Sequence, residues 1–131
     1  MNTDELFEKC SPCSSFEFGQ RQIGLGKPCF VIAEIGINHE GEASTCARLI
    51  EAAAASGADA VKLQTVDPNS NYAVGTPSHT LFAKSCLSYS DMDGLFRYAR
   101  ELNVEPFTTV GDLKTLRAIQ GLEPAGYKVS S

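Results

Sequence analysis

Two apolar runs of this chain each enclose a charge. CFVIAEIGINHEG (29–41) contains Glu34 and continues into Asn38, His39 and Glu40, while AVKLQT (60–65) carries Lys62 at its centre. Burying a charge in a strand-like run is costly unless the charge is paired or used. Farther on, VEPFTT (104–109) ends in Thr108 and Thr109, and AGYKVSS (125–131) holds Lys128, Ser130 and Ser131. A carboxylate, two lysines and several hydroxyls on one face would make an anion pocket with an acid/base group. Lysines hold phosphate or carboxylate as point charges, and hydroxyls add directional donors. Glu34 would orient a substrate hydroxyl or move a proton. Such a face suits a small phosphorylated substrate. Each residue also has a plainer role: Glu34 as a structural acid paired with a strand lysine, His39 as a hydrogen-bonding group at a helix start, Thr109 and Ser131 as caps.

The elements that must position these residues follow from periodicity. Residues 16–28 alternate Phe16, Phe18 and Ile23 with glycines, which predicts a short hairpin. Gly24-Leu25-Gly26-Lys27 lacks the spacing and hydroxyl of a phosphate loop and reads as a turn. A first parallel strand is expected over 29–35, apolar enough to be covered on both faces. Cys46, Leu49, Ile50, Ala53 and Ala54 then line one helix face, closed by Gly57. A second strand spans 59–65. Residues 66–87 are a long excursion, with a short helix starting at Thr76-Pro77. Ser88 and Asp91 resemble a capping box for a helix reaching Leu102. A third strand covers 104–109, and Asp112 caps a helix bearing Leu113, Leu116 and Ile119. A fourth strand covers 125–131.

Strand and helix alternate throughout, which predicts an α/β fold with a parallel sheet. An open doubly wound sheet and the start of a β/α barrel both fit. Residue alternation sets Ala60, Lys62 and Gln64 opposite Val61, Leu63 and Thr65. Every strand delivers polar residues to its C-terminal half, the face where barrels keep their active sites. The expected organisation is a mobile leader over 1–15, a hairpin over 16–28 and the N-terminal half of a barrel over 29–131. A full barrel needs about 250 residues, and stopping within a strand favours part of a longer enzyme.

Composition sets outer bounds. The chain has 131 residues, 43% of them hydrophobic, enough for a core, and 11 basic against 16 acidic residues give a net charge of −5. That balance argues against nucleic-acid or anionic-membrane partners. No apolar run reaches the roughly 18–20 residues of a membrane span, and the polar start MNTDELFEKC is unlike a signal peptide. A cytoplasmic location is expected. Five cysteines, an odd number, read as reduced and mostly as small core residues. Cys10 and Cys13 have CxxC spacing with no second half to complete a metal site.

The strings AEIGINHEG (33–41), GADAVKLQT (57–65) and YKVSS (127–131) resemble the sialic acid synthase family. The resemblance runs from about residue 16 to the end of the chain. It implies a β/α barrel followed by an antifreeze-like domain, in a homodimer. It also implies condensation of phosphoenolpyruvate with N-acetylmannosamine or a related amino sugar, releasing phosphate. On this resemblance Glu34 is the catalytic glutamate. Lys62, Lys128, Thr109 and Ser131 hold phosphoenolpyruvate, and Asn38 and His39 shape the site. A divalent metal, manganese or magnesium, is implied for the full-length enzyme, with its histidine ligands beyond residue 131. The chain departs from the family pattern after strand three, where TTVGD (108–112) stands in place of STPFD. His79, in the excursion, reads as a surface residue. The chain is therefore expected to be an N-terminal fragment, inactive alone. Two alternatives stand beside it: another phosphoenolpyruvate-dependent aldol-type synthase, and a non-catalytic half-barrel that binds an anion or a partner.

Overall fold

A computed structural model describes residues 15–129. The expected leader up to residue 14, with Cys10 and Cys13, lies outside the described residues, as do Ser130 and Ser131. Ser15 already belongs to a strand. Strands β1 (Ser15–Phe18) and β2 (Arg21–Gly24) pair antiparallel, Phe16 opposite Ile23. Gly19 turns between them at φ +58°, and a Cβ there would collide with the Glu105 carboxylate. The same carboxylate accepts the Gln20 N–H at 2.6 Å.

The remaining strands are β3 (Ile32–Gly36), β4 (Ala60–Thr65), β5 (Glu105–Val110) and β6 (Tyr127–Val129). All are parallel and lie in the order β3-β4-β5-β6. Helix α1 (Ala43–Ala55) connects β3 to β4. Between β4 and β5 come α2 (Pro68–Asn71), α3 (Pro77–Lys84) and α4 (Tyr89–Glu101). Helix α5 (Leu113–Ile119) and a 3₁₀ turn (Gln120–Leu122) precede β6.

The helices start and stop where local chemistry directs. Asp67, Thr76, Ser88 and Asp112 each accept a backbone N–H from the first turn of the helix they cap. Gly57, at φ +83°, closes α1: its N–H reaches Ala54 O and the Ala58 N–H reaches Ala53 O. Asn103 does the same for α4 at φ +58°, with Val104 reaching back to Ala99 O.

One core fills the space between sheet and helices. Ile35, Val61 and Leu63 meet Cys46 and Ile50 of α1, Met92, Leu95, Phe96 and Ala99 of α4, and Ile119 and Leu122. On the other face, Phe18 stands edge-on to Phe30 and Phe107, with ring centroids 5.5 and 5.1 Å apart. The antiparallel pair thus floors the face away from the helices, near the N-terminal ends of β3 to β5. Arg21 ties it there, donating to Asn103 O at 3.1 Å and standing 3.9 Å from Asp59.

Several expectations are corrected. The first parallel strand begins at Ile32, because the chain ahead of it is pinned by Val31, which donates to Asp59 Oδ2 and accepts the Asp59 N–H. At the edge of the sheet formed by the described residues, Val31, just ahead of the strand, is 50% and Ile32 43% exposed. Only Cys46 of the three described cysteines is a core residue, its thiol pushed up to about 11 by burial. Cys29 and Cys86 are exposed. Leu113 is 69% exposed, since α5 buries Thr115 and Ile119 instead.

Candidate active site

The open face of the sheet gathers the charged residues. Glu34 and Lys62 are partners in the β3–β4 register, and Glu34 Oε2 lies 2.8 Å from Lys62 Nζ. The Lys62 stem runs up the sheet, so its ammonium donates to Thr109 Oγ1 at 3.1 Å on β5. The two partners differ sharply in setting: the Lys62 side chain is 7% exposed, the Glu34 side chain 64%. The acid is therefore not the buried charge that its apolar run suggested. The fixed, enclosed charge is the lysine, and the carboxylate reaches it from solvent.

Thr109 stands in register with Gln64 on one side and Lys128 on the other. Lys128 is exposed on β6. The structure therefore brings Glu34, Lys62 and Thr109 into contact and sets Lys128 on the neighbouring strand. An ammonium held by a hydroxyl and a carboxylate at the C-terminal half of parallel strands can exchange either partner for an anionic oxygen. Among the described residues, no group of three or more His, Cys, Asp or Glu side chains could hold a metal ion.

The Asn38-His39 pair lies in the turn after β3. Gly36, Glu40 and Gly41 all take positive φ there (60°, 54° and 84°). Asn38 Nδ2 donates to Ile35 O at 2.9 Å. His39 Nδ1 accepts the Gly41 N–H at 3.1 Å. A Cβ on Gly41 would collide with Lys84 O, so the turn sits tight against the end of α3. His39 is buried, and desolvation lowers its pKa below 6.5, opposed in part by a hydrogen bond with the Gly36 backbone. It lines a cavity of about 60 Å³ with Thr65, Cys86 and Met92, apart from the Lys62 cluster. Cys86 is also held neutral there, its pKa raised by desolvation and by the Asp67 charge. His79 Nε2 lies 2.9 Å from Asn69 Oδ1.

A second polar cluster, at the strand exits, was not anticipated. Asp67 accepts from Asn69 N, Ser70 Oγ and, at 2.9 Å, Lys114 Nζ. These bonds, led by Lys114, hold its carboxyl below the usual range. Asn71 Nδ2 donates to Asp67 O and to Asp112 Oδ2 at 3.0 Å. The signal for this cluster was the Asp67-Pro68 pair, a cap followed by proline like Thr76-Pro77.

The comparisons agree with the motifs. The NeuB family model matches residues 49–131. The spore coat polysaccharide biosynthesis protein SpsE of Bacillus subtilis is 31% identical over 129 residues, covering 90% of this chain and 35% of that protein. Its crystal structure superposes with a TM-score of 0.72 over 88% of this chain and 33% of that one. An N,N'-diacetyllegionaminic acid synthase of Legionella pneumophila is 49% identical over 47 residues, 36% of this chain and 13% of its own. The N-acetylneuraminic acid synthetase of Leptospira borgpetersenii, solved with citrate, shares the fold at a TM-score of 0.82 and 24% identity. That superposition covers 88% of this chain and 40% of that one. The chain spans about a third of the length of the curated relatives that match most of it. Both the motifs and the matched region lead to one assignment: the chain belongs to the NeuB family.

Proposed function

We propose that this chain is the N-terminal part of a nonulosonic acid synthase. The reaction joins phosphoenolpyruvate to N-acetylmannosamine or a related amino sugar and releases phosphate. The observation that carries the reading is Lys62, an enclosed ammonium held only at its tip, by Glu34 and Thr109. Lys62 and Lys128 would hold the phosphoenolpyruvate carboxylate and phosphate, with Thr109 and Ser131 donating hydroxyl hydrogen bonds. Glu34, its side chain 64% exposed, would then turn to the amino sugar and orient or deprotonate a hydroxyl at the joining carbons. The enolpyruvyl methylene carbon bonds to the sugar aldehyde carbon, water adds to the resulting cationic centre, and phosphate leaves with C–O cleavage. Asn38 and His39 shape the turn beneath Glu34. No group of side chains among the described residues fits a divalent cation; in the full-length enzyme its ligands would lie elsewhere.

The domain reading is proposed with it: residues 29–131 begin a β/α barrel closed by further chain, within a dimeric cytoplasmic enzyme. Sequential strand order with all the core-forming helices on one face supports a barrel over a doubly wound sheet, whose order reverses at a switch point. No helix among the described residues is long and apolar enough to cross a membrane.

Titration of the 131-residue chain with phosphoenolpyruvate, followed by NMR, tests the anion site. Saturable shifts at Lys62 and Thr109 that vanish in Lys62→Met are expected. Binding that survives Lys62→Met would remove the site from this face. With manganese and N-acetylmannosamine the chain alone should release no phosphate, and clear turnover would overturn the fragment reading.

A further inference from the structure

Resting on the anion-site reading of Lys62 and Thr109, we propose that Asn71 is a positioning residue, latching the loop after β4 to the turn after β5. The two loops leave the sheet directly above the site. Asp112 lies three positions after Thr109, and Asn71 nine positions after Lys62. Asp112 spends both oxygens on its own helix: Oδ1 accepts Thr115 N–H and Oδ2 accepts Thr115 Oγ1, each at 2.8 Å. Oδ2 also takes the Asn71 amide at 3.0 Å.

Asn71 is half-buried and uses both amide hydrogens, one on Asp67 O at 2.9 Å and one on Asp112. A Cβ on Gly111 would meet its Oδ1, so a larger residue there would displace the Asn71 side chain. The Lys114–Asp67 pair closes the ring in the opposite direction, from α5 back to the β4 exit. The Val110-Gly111 segment therefore runs between two fixed points, the β5 ladder and the Asn71–Asp112 bond. That restraint sets where Thr109 aims its hydroxyl, which must meet Lys62 at 3.1 Å. Hydrogen bonds behind a site commonly hold its contacting groups in this way.

The latch also gives the departure TTVGD a physical sense. Glycine at 111 leaves room for the Asn71 side chain, and Asp112, common to both patterns, serves twice, as a helix cap and as the acceptor of Asn71.

The experiment compares the chain with Asn71→Ala, with the pair Asn71→Asp plus Asp112→Asn, and with His79→Ala. The paired change reverses donor and acceptor between the loops, at the loss of the bond to Asp67 O, and asparagine still caps a helix. The His79 change breaks a bond inside the excursion without touching the β5 exit. Amide hydrogen exchange over residues 109–112 is read first. Asn71→Ala is expected to speed it at least tenfold, the paired change to restore part of the protection, and His79→Ala to leave it as it was. Unchanged exchange in Asn71→Ala overturns the latch, as does equal acceleration by His79→Ala. Phosphoenolpyruvate affinity is read second, with melting temperature alongside. A weakening of about tenfold in Asn71→Ala, at nearly constant melting temperature and partly recovered in the paired variant, supports positioning. Faster exchange with unaltered affinity overturns it. If the unaltered chain binds no phosphoenolpyruvate while the exchange results hold, the anion-site reading fails and the latch itself stands.

Discussion

The two faces of the parallel sheet are made from alternate residues of the same strands, yet they are built to opposite ends. On the helix side Val61 and Leu63 are sealed beneath α1 and α4, and the hydroxyls of Thr65 and Thr108 bond to each other at 2.9 Å. Polar groups there are satisfied internally. On the other side an aromatic floor of Phe18, Phe30 and Phe107 gives way, toward the C-terminal ends of the strands, to Lys62, Glu34, Thr109 and Lys128. One face stores stability, and the other stores charge in a form that a ligand can displace. Substitutions should separate the two.

The largest effect is expected on the sealed face. Phe96 is 1% exposed at the centre of the core. Phe96→Ala should cost about 3–5 kcal/mol, a large share of the roughly 5–15 kcal/mol that holds an ordinary domain together. Urea denaturation measures it. A loss under about 1 kcal/mol would mean that α4 does not depend on this contact.

The aromatic floor comes next. Phe18 is only half-buried, but its ring meets Phe30 at 70° and Phe107 at 87°, the edge-to-face arrangement that aromatic pairs prefer. Phe18→Ala should cost about 2 kcal/mol. It should loosen β1 and β2 before the parallel sheet, seen as faster amide exchange at Arg21–Gly24. Uniform acceleration across the chain would show that the floor and the helix-side core open together.

How much of this division is legible in the sequence depends on which face is asked about. The sealed face is readable: Cys46, Ile50 and Ala53 announce their helix face by spacing, and Gly57 marks its end. Asn103 ends α4 by the same geometry as Gly57, but an asparagine is a weaker signal for positive φ. The open face reads less well. An apolar run such as CFVIAEIG implies cover on both sides, so the sequence suggests a buried Glu34, whereas in this chain β3 stands at the sheet edge and the Glu34 side chain is 64% exposed. In the proposed barrel further strands would cover that edge. Lys62 and Thr109 stand out as polar residues in strands, but their mutual contact is a matter of stem length and register. The Asn71–Asp112 latch joins residues 41 apart and depends on a four-residue helix too short to show a period. Asn38 and His39 catch the eye as a polar pair, yet their hydrogen bonds run to their own turn, a local use that sequence alone leaves open.

His39 supplies a smaller effect with a pH signature. Its ring is neutral when folded, with its pKa below the ordinary 6.5, chiefly through desolvation. Above pH 6.5 the imidazole is neutral in folded and unfolded chains alike, and its full contribution to stability is present. As the pH falls toward the folded value, the unfolded chain takes up a proton that the folded chain refuses, and stability declines. His39→Gln should cost about 1–2 kcal/mol at neutral pH, from the Gly41 N–H left without its acceptor. It should also flatten the stability profile just below pH 6.5. Parallel profiles for the two proteins would show that folding does not lower the pKa of the ring.

The smallest expected change in stability falls on the residue with the largest expected role. Lys62→Met keeps the enclosed stem and removes the ammonium. The partner it leaves behind, Glu34, has its side chain 64% exposed, so no buried charge is left uncompensated. Stability should therefore stay within about 1 kcal/mol of the original in either direction, while phosphoenolpyruvate binding is lost. Glu34→Gln acts differently, leaving a 7%-exposed ammonium without its counter-charge, and should be the more destabilising of the two. Denaturation curves for both variants decide the matter. If Lys62→Met instead loses more than about 3 kcal/mol, the loss a broken buried pair gives, the ion pair belongs to the fold, and the contrast between a storing face and a working face fails at its central residue.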